Sequence, residues 1–125
     1  MNKIEIEKTM QMEPRKRYEY FIKKIVDFEE VWSLSNEKGW VTSKASDGSL
    51  MLHFWPTKEH AKLCAIKEWE NSTPESIDLE DFVGNWLPGM LNDGVSISIF
   101  YNNIDSITLP INKIMEDIEE ELENY

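Results

Sequence analysis

The chain has 125 residues, a formal net charge of −11, five tryptophans and a single cysteine. A chain this long fits one domain and buries roughly two thirds of its unfolded surface, so it needs no disulfide or metal staple. The acidic balance disfavours phosphate backbones, one cysteine excludes an internal disulfide, and no run reaches the roughly 18 apolar residues of a membrane helix.

Residues 1–13 have no clear hydrophobic period and read as a loose segment, with 14–125 as the single domain. The stretch MNKIEIEKTMQMEPRKR lacks an apolar signal region, and a lone cysteine suits a reducing compartment. The expectation is a soluble, cytoplasmic protein. Its charge is uneven. Through Lys67 there are 12 basic and 10 acidic residues, whereas beyond it 14 acidic residues face only Lys113.

Pro14 suits the first turn of a helix. Tyr18, Phe21, Ile22, Ile25 and Val26 then recur at helical spacing, leaving Arg15, Lys16, Arg17, Lys23 and Lys24 mostly to solvent. VWSLS (Val31–Ser35), WVTSK (Trp40–Lys44) and SLMLHFW (Ser49–Trp55) read as three strands. The Asp47-Gly48 pair is a hairpin turn signal. An antiparallel meander follows, and its third strand is apolar on both faces, which suits a covered central strand.

Pro56 stops that strand, and Thr57 is placed to cap a short helix, KEHAKLCAI. KEWENSTPES is polar, contains Pro74, and reads as a loop. In IDLEDF, Asp78 sits at the N-cap of the next helix, with Ile77 and Phe82 as a hydrophobic staple. Leu79, Phe82, Val83, Trp86, Leu87 and Met90 form its apolar stripe. Pro88 would clash with the carbonyl of Gly84, so the helix either kinks or ends near Leu87. VSISIFY (Val95–Tyr101) alternates as a strand, SITL reads as a possible fifth, and Pro110 opens a final helix with Ile111, Ile114, Met115, Ile118 and Leu122 inward. The expected class is α+β: a three-strand meander extended by a fourth strand, with helices packed on the sheet.

Reactive side chains concentrate in LMLHFWPTKEHAKLC, residues 50–64. His60 and Cys64 stand four apart on a helix, and His53 and Glu68 are the only further ligands at hand for zinc. Nothing repeats the paired spacing of a zinc finger or ribbon, and Cys64 lies with Ala61 and Ala65 on a small apolar face, so a buried free thiol is the better reading. No cofactor motif, nucleophile elbow or phosphate loop appears, and no residue is marked as catalytic. Trp69, between Glu68 and Glu70, is the tryptophan expected to be most exposed and to serve an interface. The last helix carries like-charge pairs four apart, such as Glu116 with Glu120, and acids in its final turn oppose the helix dipole. Docking against Arg15, Lys16, Arg17, Lys23 or Lys24 would offset this.

Several separated stretches together resemble a known family: YEYFIKKIVDFEEVWSL, FWPTKEHAKLCA, SIDLEDFVGNWLPGMLNDG and VSISIFY. The chain is similar to the bacterial family catalogued as domain of unknown function 2750, from about Tyr18 to the C-terminus. Trp55-Pro56 followed by Ala61, and the Ile77–Gly89 run, carry the likeness most specifically. The resemblance implies one small cytoplasmic domain and assigns no activity.

Two functional expectations remain. The first is a non-enzymatic domain that binds a basic protein partner, for example an immunity or adaptor protein, with Trp69 and Trp86 as contact candidates. The second is a cleft near His53, Trp55 and His60 that binds or transforms a small ligand. It requires those side chains to converge and fails if the histidines point apart or Cys64 is sealed. A nucleic-acid mimic is a weaker variant, and the two-faced third strand also offers a surface for a homodimer.

Overall fold

A computed structural model describes residues 2–124. The class is α+β, in two small sheets rather than one. Helix α1 spans Lys3–Met10 and α2 Pro14–Phe28. Strands β1 (Glu30–Asn36), β2 (Gly39–Trp40), β3 (Thr42–Lys44) and β4 (Leu50–Phe54) follow, then α3 (Lys58–Leu63) and a 3-10 turn at Lys67–Trp69. After β5 (Thr73–Asp78) come α4 (Leu79–Asp81), a π turn (Phe82–Trp86), α5 (Leu87–Asp93), β6 (Ser96–Ile99) and α6 (Ile111–Glu123).

The expected meander exists as local pairings, but it is divided. Its middle strand pairs with β1 through Trp40 and with β4 through Thr42–Lys44, so the chain leaves one sheet and enters the other at Val41. One sheet has the order β2-β1-β5, and the other β3-β4-β6. A bridge between Trp32 and Trp55 joins them, each backbone N–H donating to the other's carbonyl at 3.0 and 2.7 Å. β6 joins β4 in parallel, which requires the long crossover through α3, β5, α4 and α5.

Three segments correct the sequence expectations. The supposedly loose N-terminus forms α1. Asn2 caps it through Oδ1, 2.7 Å from the Ile4 N–H, and only Ile6 and Thr9 are buried on it. A helix of eight residues is marginal alone, so its stability comes from docking: Tyr20 donates to Glu5 at 2.6 Å, and Thr9 meets His60. The polar stretch around Pro74 is strand β5, six residues in antiparallel register with β1. Proline is tolerated there because β5 is an edge. Asp78 occupies the expected N-cap position, but its carboxylate makes no capping bond, while the staple residues Ile77 and Phe82 are both buried.

Pro88 neither ends nor breaks the helix. The turn before it widens to π, with the Leu87 N–H donating to the Phe82 carbonyl five residues back. This relieves the clash expected at Gly84. SITL makes only a single bridge, Ile99 with Ile107. The core is built from Phe21, Ile22 and Ile25 of α2, Ile114 and Ile118 of α6, and Phe54, Phe82 and Phe100.

Two charge expectations also change. Arg17 is buried, its guanidinium 2.5 Å from Asp105 and stacked over Phe100 at 5.9 Å. It lies on the inward side of α2, where long side chains can thread between aromatic neighbours. The last helix does dock on α2, but not through the basic residues proposed for it. Among the described residues, none of Arg15, Lys16, Arg17, Lys23 and Lys24 pairs with it within 4 Å. Ile111, Ile114 and Ile118 seat it instead, with Tyr18 donating to Asp117 at 2.5 Å and Lys113 pairing with Asp117 at 2.8 Å.

Candidate functional site

The two histidines lie in different environments. His60 is fully buried, with Thr9 Oγ1 2.8 Å from Nε2 and Thr57 Oγ1 2.6 Å from Nδ1. The threonines are consistent with an Nε2–H tautomer, in which the Thr9 hydroxyl donates toward the backbone carbonyls of Glu5 and Ile6 and accepts from Nε2–H. Thr57 accepts the His60 backbone N–H as the N-cap of α3, which leaves its own proton for Nδ1. His60 is therefore neutral and satisfied, pinning α1 to α3. Burial pushes its pKa down to about 4.

His53 sits on the opposite arrangement of polar groups. It lies on β4, with Nε2 2.7 Å from Ser43 Oγ on the neighbouring strand. It is nearly buried, and Nδ1 has no hydrogen-bond partner among the described residues. Its register partner on β6 is Ser98, whose buried hydroxyl is equally unpartnered. Burial lowers the His53 pKa to about 4, so the ring is neutral near pH 7.

The face of the second sheet carrying Ser43, Met51 and His53 opens on a cleft of about 510 Å³. The Ile66–Trp69 segment forms one wall and Tyr101 another. Phe100 makes this wall possible. Its left-handed backbone, with φ of 53°, ends β6, while its N–H still donates to the Phe54 carbonyl. The ring packs 4.9 Å from His60, and the Tyr101 carbonyl is left to accept from Trp55 Nε1 at 2.9 Å and Cys64 Sγ at 3.2 Å.

The convergence expected of His53, Trp55 and His60 does not occur. His53 alone lines the cleft. Trp55 is fully buried beside it, and His60 is sealed on the α1 side. Cys64 is 1% exposed, and burial pushes its thiol up to about 12, which makes it inert at neutral pH. Ser43 and His53 have the spacing of a nucleophile and base, but Nδ1 has no acceptor to orient and charge the ring, and a pKa near 4 makes a weak base. Among the described residues, no three histidine, cysteine or carboxylate side chains are grouped to hold a metal ion.

Trp69 is not the free-standing aromatic that its polar neighbours suggest. It is half-buried, its ring centroid 4.7 Å from His53 and 5.9 Å from Tyr101. Trp86 is also half-buried, edge-on to Trp40 at 4.9 Å, and donates to Asp81 at 3.2 Å. Sequence reasoning missed Ser43, Ser98 and Tyr101 as site residues. Only the alternation of their strands could have hinted that Ser43 and Ser98 share the face of His53.

A second depression, of about 520 Å³, lies where α4 begins and α6 ends. Leu79, Val83 and Leu122 give it an apolar lining, and Glu29, Asp78 and Glu80 rim it. Leu122 is 44% exposed there.

No curated protein matches this chain. The family model described as "Protein of unknown function (DUF2750)" matches residues 18–117, which include β1 through β6, both faces of the cleft and most of α6. The chain belongs to this family.

Proposed function

We propose that this domain is a non-enzymatic interaction module that holds a basic, partly apolar segment of a protein partner in the groove between α4 and α6. The observation that carries the reading is the pairing of Val83 and Leu122 with a rim of Glu29, Asp78 and Glu80. Apolar contact would supply affinity there, and the carboxylates would select a basic partner and speed its encounter. The sealed state of Cys64 and His60 favours binding over catalysis. An immunity or adaptor role would be one form of this activity, supported by size and charge alone.

The test uses a fluorescent, amphipathic lysine–leucine peptide titrated by anisotropy at low and physiological salt. Glu80→Lys and Leu122→Lys should each weaken binding by about tenfold, equivalent to about 1.4 kcal/mol. Glu37→Lys makes the same charge change in the distant β1–β2 hairpin and should alter affinity far less. Equal losses in all three variants would reduce the effect to general charge attraction and refute the groove.

A further inference from the structure

Independently of that groove, the cleft over His53 has the composition of a small-molecule site. Three rings, His53, Trp69 and Tyr101, form a continuous aromatic corner with centroid separations of 4.7, 5.9 and 6.3 Å. They meet at 59°, 73° and 60°, so they present faces in different directions rather than closing on one another. Beside them the polar residues Ser43, Asn103 and Ser106 also line the cleft. Beneath them, closed off from the cleft, lie His53 Nδ1 and Ser98 Oγ, adjacent across the β4–β6 register and without hydrogen-bond partners among the described residues.

The local charge narrows the ligand. In a chain of net charge −11, the cleft carries Lys44 and Lys67 against only Glu68. The cleft therefore carries a local excess of one positive charge. A volume of about 510 Å³ suits a molecule of one or two rings and is too small for a folded partner. Lys67 holds a left-handed backbone, with φ of 54°, at the start of the 3-10 turn that delivers Trp69. Strain of this kind is characteristic of binding segments.

We propose that this cleft binds a small planar aromatic anion. The ring stacks on Trp69 with Tyr101 against its edge, a polar ring substituent bonds the Ser43–His53 pair, and the acid group is met by Lys67 from the Ile66–Trp69 wall and by Lys44 at the end of the edge strand. The arrangement is one of binding, since it sets no activated nucleophile against the ligand.

Titrations followed by amide and indole N–H resonances, with indole-3-carboxylate and benzoate as anionic probes, test this. Benzamide and benzamidine serve as neutral and cationic counterparts. Saturable shifts are expected at Ser43, His53 and the Trp69 indole, with the anions binding about tenfold tighter than benzamide, the worth of one charge-assisted contact. Lys44→Gln, at an exposed position that leaves the fold intact, should remove that advantage without changing benzamide binding. Trp69→Leu should weaken every probe. Binding of benzamidine as tight as benzoate, or an anion preference that survives in both Lys44→Gln and Lys67→Gln, would overturn the proposal. So would the absence of saturable shifts at the cleft with all four probes.

Discussion

Lowering the pH should destabilise this domain well above the range in which its carboxylates titrate, because both histidines are buried neutral. A free imidazole titrates near 6.5, whereas His53 and His60 are held at about 4 by burial. At His60, Glu59 and Glu5 pull the value up and Lys24 pushes it down, without offsetting the desolvation. The unfolded chain therefore takes up protons between 6.5 and 4 that the native protein refuses. The stability associated with each depressed pKa is fully present above about 6.5 and is lost progressively as pH falls toward 4. By about pH 5, linkage gives a loss of about 2 kcal/mol for each histidine relative to about pH 7.5. Two such losses form a large share of a typical domain stability of about 5–15 kcal/mol. Glu5, Asp47 and Asp117 all have pKa values lowered from the ordinary carboxylate range by their hydrogen bonds, so their native-state protonation lies on the acid side of this window. Urea unfolding across the series, repeated with His60→Gln and His53→Gln, would measure the slope. Each variant should abolish about half of it, and histidine resonances should titrate only near pH 4 in the native state. A stability that stays flat down to about pH 5, or an unchanged slope in both variants, would refute the reasoning.

Thr9→Val should cost on the order of 1–3 kcal/mol, because it leaves the His60 Nε2–H unpaired in the core; faster amide exchange throughout α1 would accompany it. Asp105→Asn should cost under about 1 kcal/mol because Asp105 is half-exposed, whereas Arg17→Ala, which empties a packed site under Phe100, should cost about 3 kcal/mol or more; chemical denaturation of the pair checks the order. Ile118→Ala should cost about 2–5 kcal/mol. Truncation after Asp117 should lower the melting temperature to a similar extent at low and high salt, since apolar contact seats α6; a loss confined to low salt would show that charge holds it. Cys64 should not react with Ellman's reagent in the native protein and should react fully in urea.

Much of the core was readable in the sequence because period reports burial. The inward residues of α2, the stripe of α6, the alternation of β6 and the staple at Ile77 and Phe82 are all local signals. The site was far less readable. His53 was singled out by residue type, but its partners Ser43 and Ser98 come from strands separated by up to 55 positions. They become neighbours only because β4 lies between β3 and β6. His60 looked equally reactive, yet two threonines from α1 and from its own helix cap consume both ring nitrogens. Trp69 appeared exposed because its sequence neighbours are charged. A 3-10 turn folds it back over His53.

By itself the sequence determined the α+β class, the family and the strong acidic charge, since composition, hydrophobic period and motif spacing are properties of the chain in order. The tertiary structure decided the rest. It made a helix of residues 3–10 and a strand of 73–78, elements whose own apolar content is too small to specify them. It also divided one apparent meander between two sheets at Val41. Contact order is the physical reason: these elements gain their free energy from partners distant in sequence, and a local pattern carries no record of that gain.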